Sequence, residues 1–363
     1  MSDPFVSIRG RVLINVEALN MTESVGNYVK HRRVPVIMPG SYATYFAPAV
    51  SGESIAHGYQ QVLAEVAMGR GIPVCKLCSK GYFLKSSNDN VFRESFGMEL
   101  PESEGEFERV VIKNCVVEDV GGFLYAPGGG GKNVKRTSNF FVGYMVPVRE
   151  ALENVVIEPQ LHARYALGTP FVERGGRVGG QMIYYVELAS AVYTFSFDLD
   201  TKYIGKATFT LEGRDDVVVD NRRERIEASL DALYKFMTEM LFGAKRTRFL
   251  PIIEWESLVV AVSDDIWTVL SPFSKKYIDN TIKKVDKLDY NTKLFMFIES
   301  EEKYRELEGK CKEEKEFKEM NKEEKSKVKC VIASDFEDTL KMAIDEAKNR
   351  LNQRKAEGGS REG

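Results

Sequence analysis

The chain has 363 residues, with 51 lysines and arginines against 54 aspartates and glutamates, and its formal net charge is -3. Hydrophobic residues make up 43% of it, which excludes a wholly disordered chain and supplies a sizeable core. The net charge excludes a uniformly basic nucleic-acid binder, but it allows a neutral body with basic loops. Charged residues reach 29% while glutamines are few, a balance that indicates a thermophilic source.

The N-terminus and the cysteines predict a soluble cytoplasmic protein. Asp3 lies where a secretory signal would be cationic, and no apolar run reaches the length of a bilayer, so we expect no membrane partner. The 5 cysteines are an odd number and few for the length. This suits a reducing cytoplasm better than a disulfide framework.

The first two elements are a strand and a helix. Residues 5–19 alternate apolar and polar side chains, which predicts a half-buried strand. Ser51 and Ser54 precede an apolar repeat of helical spacing, and Gly69 or Gly71 ends it. We therefore expect an amphipathic helix that follows the first strand and packs on it.

A sheet and a second helix follow. Residues 109–126 predict two short strands broken at two glycines, and residues 181–199 predict one long or bent strand. A second amphipathic helix begins at Asp220 or Asn221 and ends at Gly243, before a last strand. The order strand, helix, strands, helix, strand predicts an α+β protein with an RRM-like (ferredoxin-like) core and large insertions.

The end of the chain has a different composition. We assign residues 1–270 to the RRM-like palm with its inserted loops, and residues 271–363 to a charged, mostly helical C-terminal extension. Residues 301–330 carry equal numbers of acidic and basic side chains, so this extension is not a nucleic-acid-binding tail. Ser334 and Glu337 predict a capping box for a last helix with an apolar stripe.

Two acid-free windows carry clustered cations. The first has no acidic residue from Ser24 to Gly52 and contains Lys30, Arg32 and Arg33. The second runs from Gly121 to Arg149 and includes a run of glycines followed by three cations. These cations are Lys132, Lys135 and Arg136. Such windows favour contact with a nucleic-acid backbone.

The glycine run in the second window is not a nucleotide-binding P-loop. That motif requires Gly where the chain has Ala126 and Ser or Thr where it has Asn133, which disfavours an NTPase. The run is either a flexible hairpin tip or a loop whose backbone amides approach a phosphate. Arg174 and Arg177 lie in a second glycine loop before an aromatic strand, whose rings either fill the core or stack on bases.

Catalytic and metal-binding patterns are incomplete. The three histidines, His31, His57 and His162, have no informative spacing, so a ribonuclease that uses one as general base is the minority interpretation. Cys75 and Cys78 form a C-x2-C, but no second motif completes four ligands, so we expect packing and no metal or cofactor. A zinc or redox regulator remains a third alternative. The acidic run of residues 99–108 predicts a solvated loop or a patch for a basic partner.

Three segments together resemble a known family. They are SIRGRVLINVEALNMTESVGNYVKHRR, VSGESIAHGYQQVLAE and KRTSNFFVGYMVPV. They are similar to the CRISPR-associated backbone subunit of archaeal Cascade complexes, often called Cas seven, in its Csa/DevR branch. The resemblance covers residues 5–265.

The resemblance implies a non-catalytic antiviral scaffold. Its palm would be widened into a crescent, and its copies would stack helically along one CRISPR RNA beside other Cascade subunits, leaving the guide bases free to pair with target DNA. Carried over by position, the RNA-binding residues would be Asn27, Lys30, His31, Arg32, Arg33, Ser51, Ser54, His57, Lys132, Lys135, Arg136, His162 and Arg164. The cations Arg174 and Arg177 complete the predicted RNA-binding set.

Overall fold

The computed structural model describes residues 3–127, 133–163, 173–174, 177–178, 183–209 and 216–358. The strands are β1 (Phe5–Glu17), β2 (Met21–Val25), β3 (Tyr28–His31), β4 (Arg33–Ile37), β5 (Thr44–Pro48), β6 (Phe123–Tyr125), β7 (Val134–Arg136), β8 (Phe140–Val142), β9 (Val156–Ala163), β10 (Glu173–Arg174), β11 (Arg177–Val178), β12 (Ile183–Asp200), β13 (Ile252–Ser263), β14 (Lys293–Ile298), β15 (Lys312–Glu313) and β16 (Cys330–Ala333). The helices are α1 (Gly52–Gly69), α2 (Asp89–Phe96), α3 (Glu104–Asn114), α4 (Val116–Gly121), α5 (Arg222–Glu239), α6 (Tyr277–Lys287), α7 (Glu301–Glu308), α8 (Glu314–Glu319), α9 (Lys322–Lys327) and α10 (Phe336–Gly358). Two short 3-10 helices, Cys78–Lys80 and Arg149–Asn154, complete the described elements.

A large mixed sheet organises the described chain and confirms the α+β class. Its strand order is β15-β16-β14-β13-β1-β12-β3-β2, and β8 and β9 also pair with β12. The strand β1 is antiparallel to both β12 and β13, whereas β3 runs parallel to β12 and β16 runs parallel to β14. The long strand β12 therefore contacts β1 and β8 toward its C-terminal end and β3 and β9 toward its N-terminal end.

Helices α1, α5 and α10 share one hydrophobic core with the sheet. Alternate side chains of β1 are fully buried in it, as the predicted period of two requires. Tyr59 of α1 packs edge-on against Phe197 of β12 and donates its hydroxyl hydrogen to the Ser229 carbonyl of α5. Gly58 is required beside it, because an added Cβ would overlap the Leu241 carbonyl oxygen.

The two predicted long helices are confirmed as elements, α1 together with its predicted cap. The Ser51 side chain accepts a hydrogen bond from the Ser54 amide at the start of α1. Asn221 precedes the first turn of α5, which ends at Glu239.

Residues 109–126, by contrast, are helical up to Gly121, and β6 follows. The first of the two predicted strands was wrong, because the Ser103 cap and the buried face of α3 outweigh the β propensity of its valines, whereas the second is confirmed as β6.

The chain after residue 270 continues the same sheet. Strands β14, β16 and β15, which the sequence did not predict, extend it beyond β13. Helix α10 buries the predicted apolar stripe against the core, and its Phe336 ring stacks on Trp255. Its first turn is capped by Asp335, which accepts from the Asp338 amide, so Ser334 is not the cap. Among the described residues, no helix is long and apolar enough to cross a membrane.

Candidate nucleic-acid interface

The N-terminal end of β12 brings several predicted residues together. His162 of β9 lies opposite Tyr184 on one side of the strand, and Tyr28 of β3 lies opposite Tyr185 on the other. Asn27 precedes β3, where its carbonyl accepts a hydrogen bond from the Tyr185 amide at 2.8 Å and its side-chain amide donates to the Ile183 carbonyl. Two predicted sites 135 residues apart in sequence thus meet on one strand.

Half-buried aromatic rings lie at the same end of β12. Tyr28 stacks on Tyr185 with ring centroids 5.7 Å apart, and His162 stacks on Tyr184 at 5.3 Å. Phe249 packs edge-on against His162. Planar rings that are still partly accessible can stack on unpaired bases, which is how single strands are bound without regard to sequence. The aromatic strand therefore serves the core along most of its length and offers rings to solvent at this end.

Two cations lie near the Tyr28 and Tyr185 rings, on the sheet face opposite to His162 and Tyr184. The side chains of Lys30 and Arg33 are 44% and 46% exposed. Lys30 lies 3.2 Å from Glu23, and Arg33 donates to the nearly buried carboxylate of Glu187 at 2.7 Å. Glu187 also accepts from the His31 amide at 2.7 Å, so it fixes the approach of β3 to the sheet. Lys30 and Arg33 each have an acidic partner, and each side chain is still partly exposed to solvent.

Arg32 faces a different partner. Its Nε donates to Asn20 Oδ1 at 2.8 Å, and the same oxygen accepts from the Ser51 amide at 2.8 Å. Ser51 is buried and serves as the helix cap, while Ser54 is half-buried and His57 is exposed on α1. Asn20 therefore ties the basic loop to the start of α1, and Arg32 and Ser51 have positioning roles.

His31 is buried rather than exposed to RNA. The residue is 2% exposed. Its Nε2 lies 2.6 Å from Glu17 Oε1, and its Nδ1 lies 2.8 Å from the Arg32 carbonyl oxygen. Both ring nitrogens thus lie near oxygen atoms that can accept a hydrogen bond. The chain reaches this arrangement through a bulge of β1, where Val16 has a φ of 58°.

The Glu17 to His31 pair predicts a pH-dependent stability. Burial disfavours the imidazolium, but the hydrogen bond and charge of Glu17 outweigh it, so the pKa of His31 is raised above its ordinary 6.5. Because the pKa is higher in the folded state, the interaction of protonated His31 with Glu17 contributes its full stability below pH 6.5. This contribution is lost as the pH rises through the folded-state pKa. Urea unfolding across that range is expected to show the decline in wild type and a smaller decline in His31→Gln. Equal pH dependence in both proteins would contradict the assignment.

The described residues of the second basic window lie far from the first window in the structure. Lys135 and Arg136 are neighbours on β7, so they point to opposite faces: Lys135 is exposed and Arg136 is buried. Lys135 lines a cavity of about 430 Å³ with Asp200, at the far end of β12 from Asn27. At about 3.3 Å per residue the two ends of β12 lie about 55 Å apart if the strand is straight. Lys132 lies outside the described residues.

Arg136 belongs to a buried network of four charges. Its guanidinium donates to Glu108 at 3.0 Å and to Asp119 at 2.6 Å, and Arg225 donates to Asp119 at 3.1 Å. All four side chains are at most 1% exposed. Arg136 therefore has a structural role, and the acidic run of residues 99–108 is not a solvated loop throughout, because its last part starts α3 and sends Glu108 inward.

The remaining predicted cations are in the connection between β9 and β12. Arg164 lies outside the described residues. Arg174 and Arg177 pair with one another across the two-stranded β10 and β11 hairpin. The structure thus gives only the pairing of these strand residues, and the assignment of both arginines to RNA stays a prediction.

A second cluster of reactive side chains lies apart from this interface. Cys75 and Cys78 meet Cys115 and Glu118, and one ligand atom from each lies within 4.8 Å of all the others. All four residues are buried, and burial raises the pKa of the Glu118 carboxyl to about 8. Sequence reasoning missed the second pair, although Cys115 and Glu118 repeat the two-residue gap of Cys75 and Cys78. These are the described residues that could hold a metal ion.

Known proteins similar to this chain agree on one family. A family model described as "CRISPR-associated negative auto-regulator DevR/Csa2" matches residues 8–282. The "CRISPR-associated protein Cas7/Csa2 1" of Saccharolobus solfataricus is 40% identical over 285 residues, which is 77% of this chain and 86% of that protein. The "CRISPR-associated aCascade subunit Cas7/Csa2 2" of the same organism is 36% identical, over 76% of this chain and 85% of that protein.

A solved structure shares the fold. One chain of a "CRISPR RNA-guided surveillance complex, pre-nicking" aligns with a TM-score of 0.52 at 8% identity, covering 94% of this chain and all of that one. The family model and both relatives each cover about three quarters of the sequence, and the residues matched by the family model include most of β1 and all of α1, β12, α5 and β13. The chain belongs to the DevR/Csa2 family of CRISPR-associated proteins.

Proposed function

We propose that this protein is a guide-RNA-binding backbone subunit of an archaeal Cascade complex, and that it works in the cytoplasm without cleaving RNA. The observation that carries the proposal is the extended identity to two Cas7/Csa2 proteins, one of which is named a Cascade subunit. The end of β12 adds a surface of the right chemistry, since exposed cations border partly exposed rings there. Phosphate and stacking contacts suit a scaffold that must accept any guide sequence.

The strand order supports an RRM-like palm at the centre of the subunit. Strands β13, β1, β12 and β8 are neighbours in that order and each pair is antiparallel. Helix α1 lies between β1 and β8 in sequence and α5 lies between β12 and β13, and the two helices pack together in one core. A split βαβ arrangement has this connectivity. The other elements would be the insertions that widen the palm into a crescent.

The structure narrows the proposed RNA-binding set. We keep the predicted residues that are accessible, and we add two rings. The set is Asn27, Lys30, Arg33, Ser54, His57, Lys135 and His162, with Tyr28 and Tyr185 added. His31, Ser51 and Arg136 are positioning residues because their polar atoms are occupied inside the fold, and Arg32 is one because its Nε is bound to Asn20. Lys132, Arg164, Arg174 and Arg177 stay proposed contacts on sequence grounds.

Contacts between copies would use a projecting hairpin. Strands β4 and β5 form a separate two-stranded sheet, and the side chains of Ile37, Tyr42 and Phe46 on it are largely exposed. Exposed apolar residues grouped in this way are typical of interaction surfaces. Head-to-tail stacking needs two different complementary surfaces, and this hairpin is one candidate for an end-to-end contact. Target DNA would then pair with guide bases that the subunits leave exposed.

The ribonuclease alternative is weakened by the positions of the histidines. His31 is buried against Glu17 and so is poorly placed to act as a general base on RNA. His57 packs edge-on against Phe83, and His162 stacks on Tyr184. Incubation of the protein with labelled repeat RNA tests the point directly. Intact RNA is the expected result, and specific cleavage that is lost in His57→Ala or His162→Ala would favour the enzyme.

Removing two cations is expected to weaken RNA binding strongly. In the double variant Lys30→Ala with Arg33→Ala, the dissociation constant for guide RNA should rise about 100-fold, or about tenfold for each lost charged contact. The slope of log affinity against log salt should fall by about 0.7 for each lost phosphate contact to a single strand. Fluorescence anisotropy at several salt concentrations measures both quantities.

The matched control removes two paired cations elsewhere. Arg305 pairs with Glu301 on α7, and Lys341 pairs with Asp345 on α10. The double variant Arg305→Ala with Lys341→Ala changes the net charge equally, so it should leave the affinity within about twofold and the salt slope unchanged. An unchanged salt slope in the Lys30 and Arg33 variant would refute the proposed interface.

A further inference from the structure

Three thiols and a carboxylate converge at one buried point. Cys75 lies in the turn after α1, and Cys78 begins the 3-10 helix that follows. Cys115 lies between α3 and α4, and Glu118 lies in the first turn of α4. Their ligand atoms all lie within 4.8 Å of one another, so two chain segments about 40 residues apart contribute two ligands each.

The spacing of these atoms fits a tetrahedral metal site. Zinc binds thiolate at about 2.3 Å and carboxylate at about 2.0–2.2 Å, which separates tetrahedral ligand atoms by about 3.5–3.8 Å. Cys75 Sγ lies 3.6 Å from Glu118 Oε1. The Cys78 amide donates to Cys75 Sγ at 3.4 Å, an amide contact that stabilises a thiolate. The two pairs also share one sequence pattern, C-x2-C followed by C-x2-E, and paired ligands at this gap are usual in structural zinc sites.

The surroundings of Glu118 are an independent observation that points to a cation. Glu118 is fully buried, and its second oxygen, Oε2, has no hydrogen-bond partner among the described residues. A buried carboxylate oxygen without a partner is costly unless a cation balances it. The Lys85 ammonium approaches this region but donates to the Gly121 carbonyl oxygen at 2.8 Å.

We propose that Cys75, Cys78, Cys115 and Glu118 bind one structural Zn²⁺ ion. Three soft thiolates select zinc over the harder magnesium and calcium ions, and four protein ligands close the site so that it has no open position for catalysis. The three thiols bind as thiolates and release their protons to solvent. The ion clamps the turn after α1 to the start of α4, where the Val116 amide already donates to the Pro73 carbonyl at 2.9 Å.

The burial of the cluster disfavours a redox dithiol as its role. Cys75, Cys78 and Cys115 are all inaccessible. A thiol that exchanges with a partner disulfide must be reached by it, so redox cysteines are partly exposed. A third thiol and a carboxylate are also superfluous for a dithiol, whereas a tetrahedral ion needs all four groups.

Metal analysis of the full chain tests the proposal. Protein purified without chelator is expected to contain about one zinc per chain, as measured by elemental mass spectrometry. The double variant Cys75→Ser with Cys115→Ser should contain less than one tenth of that amount. The control Cys311→Ser with Cys330→Ser removes two cysteines outside the cluster and should keep the full amount.

Two measurements on the wild-type chain keep the test decisive if the cluster variant does not fold. Titration with a mercurial reagent should release one zinc per chain as the three thiols react. Cobalt added to the reduced, zinc-free protein should produce the absorption of a tetrahedral thiolate site. Wild-type protein that contains no stoichiometric zinc and gives no such cobalt spectrum would overturn the proposal, whatever its RNA binding.

Discussion

Replacing Asp119 by alanine is expected to lower the free energy of unfolding by about 3–5 kcal/mol, because it breaks a buried ion pair from one side. Asp119 accepts from Arg136 and Arg225 and also from the Gly205 amide at 3.0 Å. Without its carboxylate, two guanidinium groups that are at most 1% exposed keep only Glu108, the Asn221 side chain and backbone carbonyls as partners. The network joins α3, α4, β7 and α5, so its loss should reach the whole fold.

Chemical denaturation of wild type and Asp119→Ala measures this difference. The matched control is Asp345→Ala, which also removes an ion-paired aspartate, but one that is exposed on α10 beside Lys341. That control should cost less than about 0.5 kcal/mol, as exposed helical pairs do. A loss below about 1 kcal/mol in Asp119→Ala would contradict the structural role assigned to this buried network.

Reduction of the disulfide between Cys311 and Cys330 is expected to cost about 3 kcal/mol. The bond closes a loop of about 20 residues around β15, α8 and α9, and such a crosslink stabilises mainly by restricting the unfolded chain. It joins the segment after α7 to the start of β16, at the outer edge of the sheet. The cysteine count alone argued against a disulfide framework, and the structure contains a single crosslink instead.

Unfolding with and without a thiol reductant measures this contribution. Wild type should lose about 3 kcal/mol on reduction, whereas Cys311→Ser with Cys330→Ser should start at the lower value and show no change. Equal stability of wild type in both conditions would contradict a structural role for the bond.

Local signals predicted the elements that are fixed by local interactions. The caps and apolar repeats of α1 and α5 lie within single segments, and both helices begin where those signals do, although α5 ends at Glu239, before its predicted stop at Gly243. The strands β14, β15 and β16 were missed because their pairing partners are distant in sequence and their neighbours are dominated by charge. Pairing between distant strands leaves no periodic trace in a short window.

The candidate site was predicted in part for the same reason. Lys30 and Arg33 are accessible as expected, but Arg136 and Glu108 looked exposed because each was considered without the other, 28 residues away. A strand places adjacent residues on opposite faces, so Lys135 and Arg136 could not both have faced RNA. Only the folded chain shows that Glu108 and Asp119 pair with Arg136 inside the protein. It also shows that β12 lies between the strand of His162 and the strand that follows Asn27.

Counting bound subunits on RNAs of increasing length tests the central claim most directly. Native mass spectrometry with three unrelated RNA sequences, each prepared at a series of lengths, gives the number of chains per RNA and shows whether the RNA is intact. A backbone subunit predicts that the number of bound copies rises in proportion to RNA length, equally for all sequences and without cleavage. One copy at every length, binding that depends on sequence, or cut RNA would contradict the account.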